Sequence, residues 1–210
     1  MTDHRMRYWT GLTGIVAALA APIPGQRPVQ RPVAEATLHD GTLSFVGHAT
    51  IGDFVGTTSH VTGTVTTGPD LGAARGWVEA PVSTLRTGNG LRDRDLRAAI
   101  GEEKYPAVRF ELAGVTAHAP LGSDSGPAVL HGTCCLHGVT RPLDVPVTLV
   151  RLADTVRVSG GFPLNVSRYG VRGLRKMFGM LRVREVVDVR LALRFVIVDP
   201  RINPWPGTRP

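Results

Sequence analysis

The C-terminal part of the chain shows the clearest alternation of apolar and polar positions. Between residues 187 and 197 every second residue is apolar, and the residues between them are mostly charged or small. Successive side chains of a β-strand point to opposite faces, so this pattern predicts a strand with one buried face and one solvent-exposed face. The same period of two predicts further strands within residues 78–82, 108–112, 130–136, 143–147 and 156–166.

A single segment has the composition of a helix. Residues 90–101 set leucine, alanine and isoleucine among arginines and aspartates. A turn is predicted at His137 and Gly138, and Pro142 and Pro146 indicate a sheet edge or a bulge because proline cannot donate a ladder hydrogen bond. Many short strands with one helix predict an all-β, mainly antiparallel fold, a barrel of about eight strands. The interior of such a barrel either fills with side chains or holds one slender ligand.

The N-terminal residues have the layout of an export signal. Arg5 and Arg7 precede an apolar run over residues 9–21, which contains an A-x-A arrangement at residues 18–20. The pattern predicts a signal peptide over residues 1–20, and with it a secreted, periplasmic or cell-envelope protein. The apolar run is shorter than the roughly 20 residues that cross a bilayer, so an uncleaved membrane anchor is the less favoured alternative.

The rest of the chain predicts one domain. Residues 21–32 form a Pro-rich basic linker, residues 33–199 the domain and residues 200–210 a C-terminal tail. About 190 residues suffice for a domain that buries roughly 70% of its unfolded surface. Loss of two arginines and one aspartate with the leader lowers the formal charge from +7 to +6. A basic exported protein is expected to meet anionic lipid or envelope polymer rather than nucleic acid.

The residues that usually support catalysis or metal binding are not grouped along the chain. Cys134 and Cys135 are adjacent, so on a strand their side chains point to opposite faces, and we expect two reduced thiols. No Cys-x-x-Cys or His-x-x-x-His pair predicts a metal site, and the histidines are scattered over turns and strand ends. We therefore expect no metal, no cofactor and no enzymatic activity. A small hydrolase or isomerase using His48 or His137 is a further alternative, for which the sequence offers no partner group.

Three segments of the chain carry a family resemblance: LRTGNGLRDRDLRAAIGEEKYPAVRF at residues 85–110, CLHGVTRPLDV at residues 135–145 and VSRYGV at residues 166–171. Together they resemble the YceI-like family of secreted, lipocalin-like lipid-binding barrels. The resemblance extends over roughly residues 37–198 and implies an extended antiparallel barrel, a helix at a Thr-x-x-x-x-Arg-Asp segment, here Thr87 to Asp93, and a long apolar cavity for isoprenoid or other amphiphilic chains. Tyr169 stands where the family usually has phenylalanine, which adds a hydroxyl group near the expected cavity.

Strand parity and motif position together give the expected ligand-binding residues. A slip of one residue in register would turn any strand's set to the opposite face. Arg141, Arg168 and Tyr169 are expected at the polar end of the ligand. The residues expected to line the apolar cavity are Phe45, Phe54, Val108, Phe110, Leu136, Leu164, Tyr169, Met177 and Phe178.

The segment VRGLRKMFGMLRV at residues 171–183 mixes apolar and basic residues. It has two interpretations of equal weight: a lid that touches an anionic membrane while the barrel loads, or an ordinary connection whose apolar residues close one barrel end. Each lysine or arginine near an anionic leaflet contributes about 1 kcal/mol. The residues expected in such a membrane contact are Arg172, Arg175, Lys176 and Arg182.

These expectations predict a binding protein. Its function would be non-catalytic binding of an isoprenoid or other amphiphilic lipid, for carriage, storage or an envelope stress response. The alternative is a barrel filled by its own side chains, with Trp77, Phe162 and Phe195 turned inward, that acts as a basic interaction module of the envelope. A homodimer is compatible with the exposed edge near Pro142, which neither requires nor forbids one.

Overall fold

The computed structural model describes residues 34–50, 52–67, 70–118, 124–171, 175–176 and 181–198. These residues form one α-helix, α1 (Gly90–Ile100), and a set of antiparallel strands, which confirms the predicted fold class. The strands are β1 (Ala34–Gly47), β2 (Phe54–Thr58), β3 (Thr62–Thr67), β4 (Arg75–Pro81), β5 (Ala107–Ala117), β6 (Ser125–Leu136), β7 (Val139–Leu152), β8 (Thr155–Asn165), β9 (Arg175–Lys176), β10 (Leu181–Arg182) and β11 (Val186–Ile197).

Eight of the strands close into a barrel, in the order β1, β3, β4, β5, β6, β7, β8 and β11. Closure comes from β11, which pairs with β1 from Ala36 opposite Ile197 to Val46 opposite Asp188. The long strand β1 has two partners on its other side, because its first part pairs with β3 and its last part with β2. Closure removes the unpaired edges that an open sheet would present.

The ladder between β7 and β8 is shorter than its neighbours. It runs from Leu152 opposite Thr155 to Val147 opposite Gly160, whereas β7 continues its pairing with β6 as far as Val139. Pro146 stands where the β7–β8 ladder ends. Proline lacks the N–H group that a ladder needs. The prediction of an edge at Pro142 and Pro146 is therefore confirmed.

Local signals define both ends of α1. The Asn89 side chain caps the helix by accepting hydrogen bonds from the backbone N–H groups of Leu91 and Arg92, each at 3.1 Å. Gly101 ends the helix with φ 74°, a conformation that favours glycine. The described part of the chain contains no helix that is both long enough and apolar enough to cross a membrane.

The core has two clusters of buried side chains. The larger lies among the barrel strands and includes Leu38, Leu112 and Phe195. The smaller lies at the α1 end of the barrel and includes Ile100 and Leu136. The Phe110 side chain packs against both clusters, so it lies between the two ends of the barrel.

Candidate functional site

The main cavity of the barrel lies at its α1 end and encloses about 260 Å³. Its walls come from the adjacent parts of the barrel strands, from β2 and from α1. This volume is close to the lower end of the range for small-molecule sites, about 300–1,000 Å³. Its apolar wall includes Leu43, Phe45, Phe54, Ala80, Leu96, Ala99, Ile100, Val108, Phe110, Leu136, Leu164, Val187, Val189 and Leu191.

Two aromatic rings stand together on the β1–β2 side of this cavity. The ring centroids of Phe45 and Phe54 are 6.1 Å apart in an edge-to-face arrangement. The guanidinium carbon of Arg92 lies 4.8 Å from the centroid of the Phe54 ring, so α1 holds this ring from outside. The first residues of α1 therefore help to position the aromatic wall.

The Thr-x-x-x-x-Arg-Asp segment, Thr87 to Asp93, has a structural role at the start of α1. Asp93 is buried, and its Oδ1 accepts hydrogen bonds from the backbone N–H of Thr87 at 2.7 Å and from the Thr87 hydroxyl at 2.6 Å. These hydrogen bonds hold the pKa of the Asp93 carboxyl below its usual value. Arg92 donates through Nε to the same hydroxyl oxygen at 3.1 Å. Thr87 thus links Arg92 to the Asp93 carboxylate.

Most of the polar atoms in the cavity wall have partners within the protein. The Thr84 hydroxyl donates to the carbonyl oxygen of Pro81, so the Thr58 hydroxyl, 2.7 Å away, donates to Thr84. The Cys134 thiol and the Tyr169 hydroxyl share a hydrogen bond. Burial raises the pKa of Cys134 to about 11 and that of Tyr169 to about 12. Both groups therefore stay neutral at physiological pH, and the wall is apolar in effect.

Arg184 is the one charged residue that lines the cavity among the residues the structure describes. It is exposed and precedes β11, and its backbone N–H donates to the carbonyl oxygen of His48 at 2.8 Å. The neighbouring Val183 forms a bridge with Ala49. These backbone contacts fix the position of Arg184 relative to the β1–β2 connection.

A histidine joins two strands close to Arg184. His48 Nδ1 lies 3.0 Å from Asp53 Oδ2, and His48 Nε2 lies 3.0 Å from Asp188 Oδ2. The hydrogen bonds to Asp188 and then to Asp53 raise the pKa of His48 above its usual value. The imidazolium thereby connects the β1–β2 connection to β11. His48 is not among the residues that line the cavity.

This histidine contact predicts a pH-dependent stability. Because the folded-state pKa of His48 is raised, its contribution is complete below the ordinary histidine pKa of about 6.5 and is lost as the pH rises through the higher folded-state value. The difference in melting temperature between the wild type and His48→Gln should therefore narrow as the pH is raised. Asp188→Asn should reduce the same pH dependence. If the melting temperatures of the wild type and His48→Gln differed by the same amount at every pH from below about 6.5 upward, the contact of His48 with its two aspartates would be contradicted.

The structure places six of the expected ligand-binding residues in the cavity wall: Phe45, Phe54, Val108, Phe110, Leu136 and Leu164. Met177 and Phe178 lie outside the described residues, as does Arg172. For Arg175, Lys176 and Arg182 the structure describes the backbone pairing of β9 with β10 and no side chain.

The three residues expected at the polar end of the ligand do not line the cavity. Arg141 and Arg168 are exposed and do not line the cavity, and Arg141 Nε donates to the carbonyl oxygen of Arg168 at 2.6 Å. Tyr169 is buried in the smaller core cluster behind Cys134 and is likewise not part of the lining. The hydroxyl group that distinguishes Tyr169 from the usual phenylalanine is therefore directed to Cys134. The cation beside the cavity is Arg184, which the sequence did not indicate.

Some lining residues follow a signal that was present in the sequence. Val187, Val189 and Leu191 share the inward parity of β11, and Leu43 shares that of Phe45. The α1 residues Leu96, Ala99 and Ile100 do not follow from parity, because their position depends on how the helix packs against the barrel end.

The described residues contain no group of three or more histidine, cysteine, aspartate or glutamate side chains that could hold a metal ion. Cys134 and Cys135 are both free thiols, as predicted.

Comparison with known proteins places the chain in a family. The model of the YceI-like domain matches residues 37–195, whereas no curated protein matches the chain. Among solved structures, Burkholderia cenocepacia BcnA aligns with TM-score 0.60 and 18% identity, over 73% of this chain and 95% of that chain. A polyisoprenoid binding domain from Saccharophagus degradans, implicated in plant cell wall breakdown, aligns with TM-score 0.62 and 16% identity, over 77% and 98%.

A third structure, the Campylobacter jejuni YCEI protein, aligns with TM-score 0.51 and 13% identity, over 69% of this chain and 84% of that chain. At these identities the structural matches establish a shared barrel fold. The family model begins within β1, ends within β11 and includes α1, so it covers part or all of each strand of the barrel. The chain therefore belongs to the YceI-like family.

Proposed function

We propose that this protein binds one amphiphilic lipid, with an isoprenoid or other long apolar chain, in the barrel cavity and performs no chemistry on it. Such binding would serve to carry or store the lipid. The observation that carries the proposal is the 260 Å³ cavity, whose wall is apolar except for a few polar residues and one arginine. The polyisoprenoid binding described for the Saccharophagus degradans domain supports the same ligand class.

The arrangement of the polar groups supports binding rather than catalysis. The His48 imidazole forms hydrogen bonds with Asp53 and Asp188, and none of these three residues lines the cavity. The Thr58 and Cys134 side chains in the wall already have partners. A general base needs to lie within hydrogen-bond reach of its substrate, and none of these groups is placed to serve a chain in the cavity.

Energetics define what the cavity must select. Removing one isoprene unit from water contributes about 4 kcal/mol, at roughly 0.8 kcal/mol per carbon. A lipid taken from a bilayer is already in an apolar medium, so this contribution largely disappears. Selectivity must then come from the shape of the cavity and from contacts to the headgroup. Arg184 is positioned to meet an anionic or strongly polar headgroup at the cavity wall.

The place of action is part of the proposal. An exported protein with a basic surface would collect its lipid at an anionic membrane, and the segment around β9 and β10 contributes four basic residues to such a contact. These are Arg172, Arg175, Lys176 and Arg182.

The experiment is mass spectrometry of an organic extract of the protein, purified from its own host without detergent. We expect a long-chain lipid in near-stoichiometric amount. Folded protein that yields no lipid would contradict the proposal and favour a basic interaction module of the envelope. The same extraction of an unrelated exported protein, purified in parallel, controls for lipid carried along non-specifically.

A further inference from the structure

A second, smaller cavity lies at the opposite end of the barrel. It encloses about 110 Å³ and is lined by the other parts of the strands, including Ala36, Val65 and Phe195. The two cavities share four lining residues, each from a different strand. These are Val78 of β4, Phe110 of β5, Leu130 of β6 and Leu193 of β11. The four side chains form a partition across the barrel interior.

Glycines in the barrel wall make room for this partition. A Cβ atom at Gly132 of β6 would lie 2.6 Å from Phe110 Cζ, so the ring lies directly over that glycine. A Cβ atom at Gly41 of β1 would lie 2.5 Å from Leu193 Cδ2. Because any side chain at these positions would displace the partition, the two glycines allow Phe110 and Leu193 to extend across the interior.

We propose that this partition sets the upper limit on the length of the bound chain, and that Phe110 is its main specificity-determining residue. The inference rests on the proposed lipid binding. An apolar chain enters the 260 Å³ cavity and ends against the Phe110 ring, and the 110 Å³ cavity beyond it is not used. The ring closes the passage because it packs against both core clusters at once.

Removal of the ring would join the two cavities. The ligand would gain the 110 Å³ of the second cavity together with the space of the lost ring. A cavity of about 150 Å³ accommodates a benzene molecule, so the added space corresponds to about one to two isoprene units. Phe110→Ala is therefore expected to lengthen the preferred chain by that amount.

The test is a competition among chain lengths. Delipidated protein is incubated with phosphatidylcholine vesicles that contain an equimolar series of isoprenoid alcohols, from prenol upward in steps of one isoprene unit. The protein is re-isolated, and the bound polyprenols are quantified by mass spectrometry. We expect a sharp upper cut-off in the wild type and a cut-off one to two units higher in Phe110→Ala.

Matched variants separate the possible results. Phe45→Ala removes the same ring from a residue that lines the larger cavity alone, so it should weaken binding of all lengths without moving the cut-off. Leu130→Ala opens the partition from β6 and should move the cut-off if Phe110→Ala does not fold. Wild-type binding with no cut-off, or a cut-off that neither partition variant moves, would overturn the inference and leave lipid binding standing. A wild type that binds no polyprenol would overturn the proposed function itself.

Discussion

Replacing Ala80 by tryptophan should abolish lipid binding while leaving the barrel folded. Ala80 is buried on β4, and its side chain lines the larger cavity. The indole would extend into the empty space and occupy the volume of several methylene groups of the ligand. At about 0.8 kcal/mol per excluded methylene group, loss of four groups weakens binding by roughly 100-fold or more. Equilibrium titration with a fluorescent long-chain fatty acid measures this loss.

The matched control is Ala192→Trp. Ala192 lies on β11 with its side chain exposed on the outer face of the barrel, so the same substitution there adds an indole to the surface. Its affinity should equal that of the wild type. Circular dichroism establishes that both variants are folded. If folded Ala80→Trp binds the lipid as tightly as Ala192→Trp does, the ligand does not occupy this cavity.

Replacing Phe195 by alanine should cost about 3–5 kcal/mol of the free energy of unfolding. Phe195 is 5% exposed and belongs to the larger core cluster. It pairs with Leu38 of β1 on one side and with Val156 of β8 on the other, so its ring is buried where the barrel closes, at the edge of the smaller cavity. Truncation would leave a hole that the surrounding strands cannot fill without breaking their ladders. Urea unfolding measures the loss, with the m value, the slope of the free energy of unfolding against urea concentration, held equal for variant and wild type.

Phe45→Ala provides the comparison for this loss. Phe45 is half-buried and lines the larger cavity, so one side of its ring already faces empty space. Fewer packing contacts disappear with the ring, and we expect a loss of at most about 2 kcal/mol. If both variants lose the same free energy of unfolding, the Phe45 ring is as tightly packed as the Phe195 ring. The cavity beside Phe45 would then enclose less than 260 Å³.

Much of the fold was predictable because strands and helix ends have local signals. The alternation over residues 187–197 corresponds to β11, which extends only one residue further at its N-terminal end. Asn89 and Gly101 bracket α1 because an amide side chain can cap a first turn and glycine tolerates positive φ. The predicted two-residue turn at His137 and Gly138 has positive φ at both residues, as a tight hairpin requires.

The cavity wall was predictable where strand parity decides it. Phe110 and Leu136 face the interior as expected, since the inward face of a strand follows from its alternation. The alternative of a completely filled barrel depended on Trp77, Phe162 and Phe195 turning inward together. The Trp77 ring instead lies against the Arg109 guanidinium group, 4.5 Å from its carbon. Phe195 belongs to the larger core cluster, and Phe162 packs against it. The two rings lie at different heights along the barrel, because Phe162 lines the larger cavity and Phe195 lines the smaller one.

The positions of Arg168, Tyr169 and Arg184 could not be predicted in the same way, because these residues lie outside the strands. The Asn165 side chain accepts a hydrogen bond from the Ser167 N–H and starts a 3-10 turn over Val166–Tyr169. Within this tight turn Arg168 points to solvent, whereas Tyr169 is buried. Alternation has no meaning in such a turn, and Arg184 takes its position from backbone contacts with the β1–β2 connection that no local pattern shows.

The most direct test of the central claim is the electron density inside the barrel in crystals of protein loaded with a polyprenol. The account predicts continuous density beside the Phe45 and Phe54 rings, running through the larger cavity and ending against Phe110, with the headgroup near Arg184. An empty interior in crystals grown from protein that carries stoichiometric lipid, or density on the outer face of the barrel, would contradict it.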